Sequence, residues 1–195
     1  MSELLEIDNL SVAFGRPDDR TQVVHGVSFA MRAGEKMALV GESGSGKSVT
    51  AMSILRLHDP SQSNYPTGAI RFEGEDLLHL PERRLRQVRG RDIAMVFQEP
   101  MTSLNPVYTI EDQLVEPLRL HEGLSGLAAR NDARTLLEMV RLPDAEHMLS
   151  RYPPPLSGCM RQREMIALSL PCHPPLLTAA QPTTAPDVTL DAPLL

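Results

Sequence analysis

Lysine is nearly missing from this sequence: Lys36 and Lys47 stand against seventeen arginines. Cysteine is as scarce. Cys159 and Cys172 match no zinc or disulfide spacing, which sets aside metal-finger and disulfide-stapled folds and fits a reducing compartment. No apolar run approaches the roughly 20 residues of a membrane span. The opening stretch "MSELLEIDNL" is acidic and lacks a long apolar core, so it does not read as a signal peptide. A membrane role is therefore expected to come through a partner. Positive charge is also in deficit. With 25 acidic residues against 19 basic ones the net charge is −6, and no electrostatic pull toward nucleic acid is expected.

What remains is a chain of ordinary globular composition, 195 residues long, 42% hydrophobic and 23% charged. That length holds one domain, or one plus a small insertion, and suffices to bury a core. Prolines are uneven: nine of the seventeen fall in the last 45 residues.

Periodicity gives a first outline. "LLEIDNLSVAF" alternates apolar residues with a slip near Asn9, which predicts a strand. "VVHGVSFAMR" predicts a second, with Val27, Phe29 and Met31 on one face. "KMALVGE" is continuously apolar, as expected of a short strand buried on both faces. "KSVTAMSILRLH" carries helical spacing, with Met52, Leu55 and Leu57 on neighbouring rows. "GAIRFEGEDL" reads as a strand and turn. "PERRLRQVRG" reads as a helix opened by Pro81 and closed by Gly90, and "DIAMVFQ" as a second buried strand. From Glu99 to about Tyr152 the pattern turns helical, as in Leu136, Leu137 and Val140, which suggests a helical insertion between two α/β halves. Beyond Pro153, Pro171, Pro174, Pro175 and Pro186 would break helices or central strands.

One motif carries clear chemistry. "GESGSGKS", Gly41 to Ser48, fits G-x-x-x-x-G-K-[ST] between a predicted strand and a predicted helix. Small residues at Gly41, Ser43, Gly44, Ser45 and Gly46 let successive backbone N–H groups face one point and form an anion nest. The helix start, with Val49 in its first turn, adds positive potential. Lys47 is placed to neutralise β- and γ-phosphate charge, and Ser48 to offer its hydroxyl to Mg²⁺. Phe14, near a strand end, is a candidate to stack on an adenine ring. Gln98 ends a buried strand, where an amide can reach a ligand or orient Mg²⁺ or water. Ser157 and Gly158 precede a predicted helix and make a second candidate anion site.

In this order, Phe14, "GESGSGKS", "VFQEPMTSLNP", "LSGCMRQR" and "LLTAAQPTTAPD" together resemble the ATP-binding subunit of ABC transporters, and specifically its peptide-importer branch for dipeptides, oligopeptides or glutathione. The likeness covers essentially the whole chain. It implies an α/β P-loop NTPase fold, an ABC-type nucleotide-binding domain with an antiparallel β subdomain and a helical subdomain. The expected division is an ATP-binding core over 1–98, a helical subdomain over 99–155, and a signature helix with a Walker B region over 156–195. The resemblance implies ATP and Mg²⁺ as ligands and a head-to-tail pair of ATP-binding subunits. It further implies transmembrane permease subunits, an external binding protein engaged indirectly, no nucleic acid, and a peripheral place on the cytoplasmic face of the membrane. By position, Phe14 matches the adenine-stacking A-loop and Gln98 the Q-loop. Ser157 and Gly158 match the signature motif, and Asp187 the D-loop aspartate.

The departures from the family pattern cluster late. Ala180 stands where the family has the Walker B aspartate, and Gln181 where it has the catalytic glutamate. An amide orients water but does not take its proton at neutral pH. Cys159 replaces a signature glycine, Pro186 alters the D-loop, and the H-loop histidine is expected beyond Leu195, as in a C-terminally truncated chain. Each substitution is one base from the family residue, as expected of a decaying or misread gene. A non-hydrolysing partner subunit or regulatory module is the alternative. The expected activity is nucleotide binding with negligible hydrolysis.

Overall fold

The structure, a computed structural model, describes residues 3–16, 18–97, 104–153 and 158–179. It forms two compact units, residues 1–86 and 87–195.

The first unit is built on an antiparallel sheet. Strands β1 (Leu5–Arg16) and β2 (Asp19–Met31) form a long hairpin, with Leu5 opposite Met31 and Phe14 opposite Thr21. β3 (Ser63–Asn64) pairs with β1, and β4 (Ala69–Phe72) continues the sheet to β5 (Glu75–Asp76). The slip expected near Asn9 is a bulge: the register shifts between Ile7 and Leu10, and Asn9 takes a φ of 48°. Hydroxyls replace the missing ladder bonds there. The Asn9 N–H donates to Ser28 Oγ at 2.7 Å and the Gly26 N–H to Ser11 Oγ at 3.1 Å. Thr67 Oγ1 donates to the Asn9 carbonyl. The bulge is thus sealed by short polar side chains and not left as unpaired backbone. Leu5, Ile7, Leu10, Ile70 and Leu77 fill the apolar face, each almost fully buried.

Gly15, next to Phe14, has a φ of +120°, and a Cβ built there would run into the Asp19 carbonyl. A side chain at this position meets both backbone strain and a fixed neighbour. Gly15→Ala is expected to lower stability by more than about 1 kcal/mol, read as a lower urea midpoint; an unchanged midpoint would count against this hairpin geometry.

Helix α1 (Lys47–Ile54) begins at the glycine-rich loop and ends sooner than its apolar spacing suggests. Leu55 is its C-cap and Arg56 turns left-handed at a φ of 49°. The expected buried strand over 36–42 is not found. This stretch joins no ladder among the described residues, and Met37, Leu39 and Val40 are 40%, 42% and 91% exposed. A continuous apolar run shows what a strand would bury but supplies no partner for its backbone. That partner is non-local and invisible to periodicity.

Helix α2 (Glu82–Arg91) buries Leu85 and Val88, three residues apart on one face, and loses helical geometry at Arg89 and Gly90, where the sequence pattern closes it.

The second unit holds a parallel pair, β6 (Ile93–Val96) and β7 (Leu176–Ala179), in register from Ile93↔Leu176 to Val96↔Ala179. Its helices are α3 (Ile110–Glu122), α4 (Gly126–Met139), α5 (Ala145–Leu149) and α6 (Gly158–Ser169). Thr109 and Asp112 close a reciprocal capping box on α3, a device worth about 1 kcal/mol. Leu114, Leu118, Leu136, Leu137, Val140 and Leu149 form one apolar cluster, and Ala167 of α6 joins it. Arg130 on α4 ties this cluster together at its surface, pairing with Glu111 of α3 at 3.1 Å and Glu146 of α5 at 2.6 Å. Those two carboxylates, Glu146 first, hold its guanidinium protonated even more firmly than usual. Pro171, Pro174 and Pro175 lie between α6 and β7, outside both elements, as their missing N–H groups require.

Cys172, in the same connection, is buried and its Sγ points to the Pro117 carbonyl at 3.8 Å. Burial, and then the Glu122 carboxylate, push its thiol up in pKa. In a Cys159→Ser background, Cys172 is expected to react slowly with iodoacetamide in native protein and rapidly in denaturant. Fast native alkylation would refute this packing. The folded thiol ionises at higher pH than the unfolded one, so its contribution to stability declines as pH rises above the ordinary thiol range.

Candidate functional site

The glycine-rich loop is organised around the first turn of α1. Gly46 caps the helix in the left-handed region, with a φ of 87° and a ψ of 5°. A Cβ there would press on Val24 Cγ2 at 3.1 Å and the Val23 carbonyl at 3.3 Å, so glycine meets both the turn and the close approach to β2. Thr50 fixes the loop from inside: its N–H and Oγ1 both donate to the Gly46 carbonyl, at 2.8 and 2.9 Å. No side chain caps the helix and its first turn carries no acid. The positive end of the helix dipole is therefore left for an external anion.

Lys47 folds across this loop. Its Nζ donates to the carbonyls of Gly41 at 2.7 Å and Glu42 at 2.6 Å, and to Ser45 Oγ at 3.2 Å. These bonds draw two carbonyl oxygens to the ammonium and place a cation at the helix start. Ser43, Gly44 and Ser48 are exposed beside it.

Phe14 lies in the same unit, half-buried on β1 between Thr21 and Ser63. Its ring meets the His58 imidazole at a centroid distance of 5.0 Å and an interplanar angle of 88°. The Nε2 of His58 donates to the Val49 carbonyl at 3.0 Å, and Ser53 Oγ donates to the same oxygen at 2.7 Å. The aromatic candidate and the loop helix are thus joined through one imidazole. The motif pattern passes over His58. Its only signal in the sequence is a histidine four residues past the helix that the loop opens.

In the second unit, Gly158 is the first residue of α6. The strands β6 and β7 run side by side and end together at Val96 and Ala179, one residue short of Ala180 and two short of Gln98 in sequence. Gln98, Ser157, Ala180, Gln181 and Asp187 lie outside the described residues.

The local structure fits a nucleoside triphosphate. It offers an acid-free helix start, a loop geometry only glycine fills at Gly46, a lysine ammonium over the loop, and an aromatic ring tied to the same helix. It fits Mg²⁺ in part, through the exposed Ser48 hydroxyl. Among the described residues no group of three or more His, Cys, Asp or Glu side chains is placed to hold a metal, and no helix among them is long and apolar enough to cross a membrane.

Comparison with known proteins agrees with this geometry. The family model for ABC transporters matches residues 24–184. The chain belongs to the ABC transporter family. It is 51% identical over 192 residues to a Brucella abortus (strain 2308) protein named as an ATP-binding protein of peptide import, covering 98% of this chain and 58% of that one. It is 46% identical over 198 residues to the glutathione import ATP-binding protein GsiA of Salmonella typhimurium, covering 99% of this chain and 32% of that one. The chain spans little more than half, or less, of these ABC relatives. Among solved structures it resembles a dimeric ATP-binding cassette in a post-hydrolysis state bound to ADP and Pi, with a TM-score of 0.80 and 27% identity, over 97% of this chain and 77% of that one. The fold is that of an ABC nucleotide-binding domain, with its antiparallel sheet and its helices.

Proposed function

We propose that this chain is the ATP-binding subunit, or part of one, of an ABC importer for peptide-type cargo, and that it binds ATP without hydrolysing it efficiently. The observation that supports this reading most is the Gly46-capped helix start with the Lys47 ammonium across its loop, joined through one imidazole to Phe14. In this reading the loop N–H groups and Lys47 take the β- and γ-phosphates, and Phe14 stacks on the adenine. Ser48 would hold Mg²⁺, with Gln98 as a further ligand; the ion, when bound, neutralises charge between the β- and γ-phosphates. Ser157 and Gly158 are assigned to the nucleotide of a second, head-to-tail subunit, and Asp187 to the contact between the two. Residues 1–98 are proposed as the ATP-binding core, 99–155 as the helical subdomain facing permease subunits, and 156–195 as the signature and Walker B region. The proposed place is the cytoplasmic face of the membrane, held by those permease subunits. The relatives named for peptide and glutathione import support the cargo class.

A second reading, a regulatory or non-catalytic nucleotide-binding module, is favoured by Ala180 and Gln181. Both readings require ATP binding. Calorimetric titration of the folded chain with ATP and Mg²⁺ tests them together: saturable binding is expected. A chain with intact circular dichroism and no binding heat or thermal shift would overturn both.

A further inference from the structure

The His58 side chain touches both the aromatic candidate and the backbone of the phosphate-loop helix. Its ring stands perpendicular to Phe14 at 5.0 Å. Its Nε2 is held by the Val49 carbonyl. That oxygen only accepts, so the proton sits on Nε2 and the imidazole plane is fixed relative to α1. Phe14, by contrast, sits on β1 and is only half-buried. Its neighbours on β2 and β3, Thr21 and Ser63, are small and polar and present no other ring to fix its plane. The ring torsion χ2 of a phenylalanine is broad, and a ring contact of this kind holds it in one orientation.

We propose that His58 is a positioning residue for the purine of the bound nucleotide. It sets the plane of Phe14 and couples that plane to the helix that takes the phosphates, so that the ring is ordered before the base arrives. The saving is in the entropy of immobilising Phe14 on binding. This rests on the nucleotide reading above, but it makes a separate prediction: His58 acts on the base and not on the phosphates.

The test uses two ligands, ATP and inorganic tripolyphosphate, each with Mg²⁺, titrated calorimetrically into the whole chain. His58→Ala is expected to weaken ATP about three- to ten-fold, the range of an aromatic pair contact, and to leave tripolyphosphate within about two-fold. Phe14→Ala is expected to do the same, and the double variant to lose less than the sum. His58→Phe, which keeps a ring against Phe14 but not the bond to Val49, is expected to recover part of the ATP affinity. A thermal melt of each variant shows whether it folds, and His58→Phe keeps the question answerable if His58→Ala does not. Equal losses for ATP and tripolyphosphate would mean that His58 only supports α1, and would overturn the proposal. So would full additivity with Phe14→Ala, or ATP binding unchanged in both His58 variants. If the unaltered chain binds tripolyphosphate and ATP equally well, the phosphate site stands and the base-positioning role falls. If it binds neither, the nucleotide reading falls and this inference with it.

Discussion

Replacing Lys47 by alanine is expected to weaken ATP by at least about ten-fold and up to about a hundred-fold, and tripolyphosphate by the same factor. The basis is the loss of charge-assisted bonds to phosphate, each worth roughly 1.5–3 kcal/mol. In the structure the Lys47 ammonium spends its three donors on Gly41, Glu42 and Ser45, so phosphate binding exchanges donors already in place and does not summon a distant side chain. Arginine is not an adequate substitute. Its planar fork spreads charge over a wider group, whereas the loop gathers two carbonyls and a hydroxyl around one nitrogen. In a chain that uses arginine at seventeen of nineteen basic positions, a lysine here matches a compact, single-point cation. Lys47→Arg is therefore expected to resemble the alanine variant more than the unaltered chain. Calorimetry with both ligands checks this; near-normal ATP affinity in Lys47→Ala would show that phosphate is bound elsewhere.

Phosphate release should be slower than in a related importer ATPase that carries Asp and Glu at the positions of Ala180 and Gln181. The expected deficit is on the order of 10²–10⁴-fold or more, since general-base and metal-orienting functions are lost together. The methyl of Ala180 offers nothing to a cation. The Gln181 amide can align a water through its oxygen but has no site to receive the proton. A colorimetric phosphate assay under saturating ATP reads the difference. Turnover comparable to the intact relative would refute it and return the chain to the ordinary ATPases of its family.

Several elements were legible from residues alone. The alternation from Leu4 to Phe14 predicts a strand, and the slip near Asn9 is where the structure places a register shift, because a two-residue period cannot slip without one. Gly90 marks the loss of helical geometry in α2. Leu136, Leu137 and Val140 predict a buried helix face, since Val140 lies four residues after Leu136 and three after Leu137, spacings that fall on one side of a helix. The glycine-rich motif predicts a helix starting at its end, and the structure begins α1 at Lys47. What escaped the sequence depends on contacts between distant positions. Residues 36–42 are apolar enough for a buried strand, yet lie exposed with no ladder among the described residues, because pairing is a property of two segments. β3 is two polar residues long and has no pattern to detect. The early end of α1 at Ile54 breaks an apolar spacing that runs on to Leu57. The Phe14–His58 contact joins positions 44 residues apart in sequence and has no local signature.

One element of the second unit serves two layers. Helix α6 packs on α3 and α4, where Ala167 enters the apolar cluster, and also lies against β6. Its far end leads through the proline-rich connection to β7, which is zipped to β6. The helical layer is itself cross-braced by Arg130. Mechanically, α6 is then an axle: its first turn begins at Gly158, and its shaft is gripped by the braced helices on one side and the sheet on the other. The helical layer and the β6–β7 pair, whose strands end at Val96 and Ala179, thus share this one helix as a common packing partner.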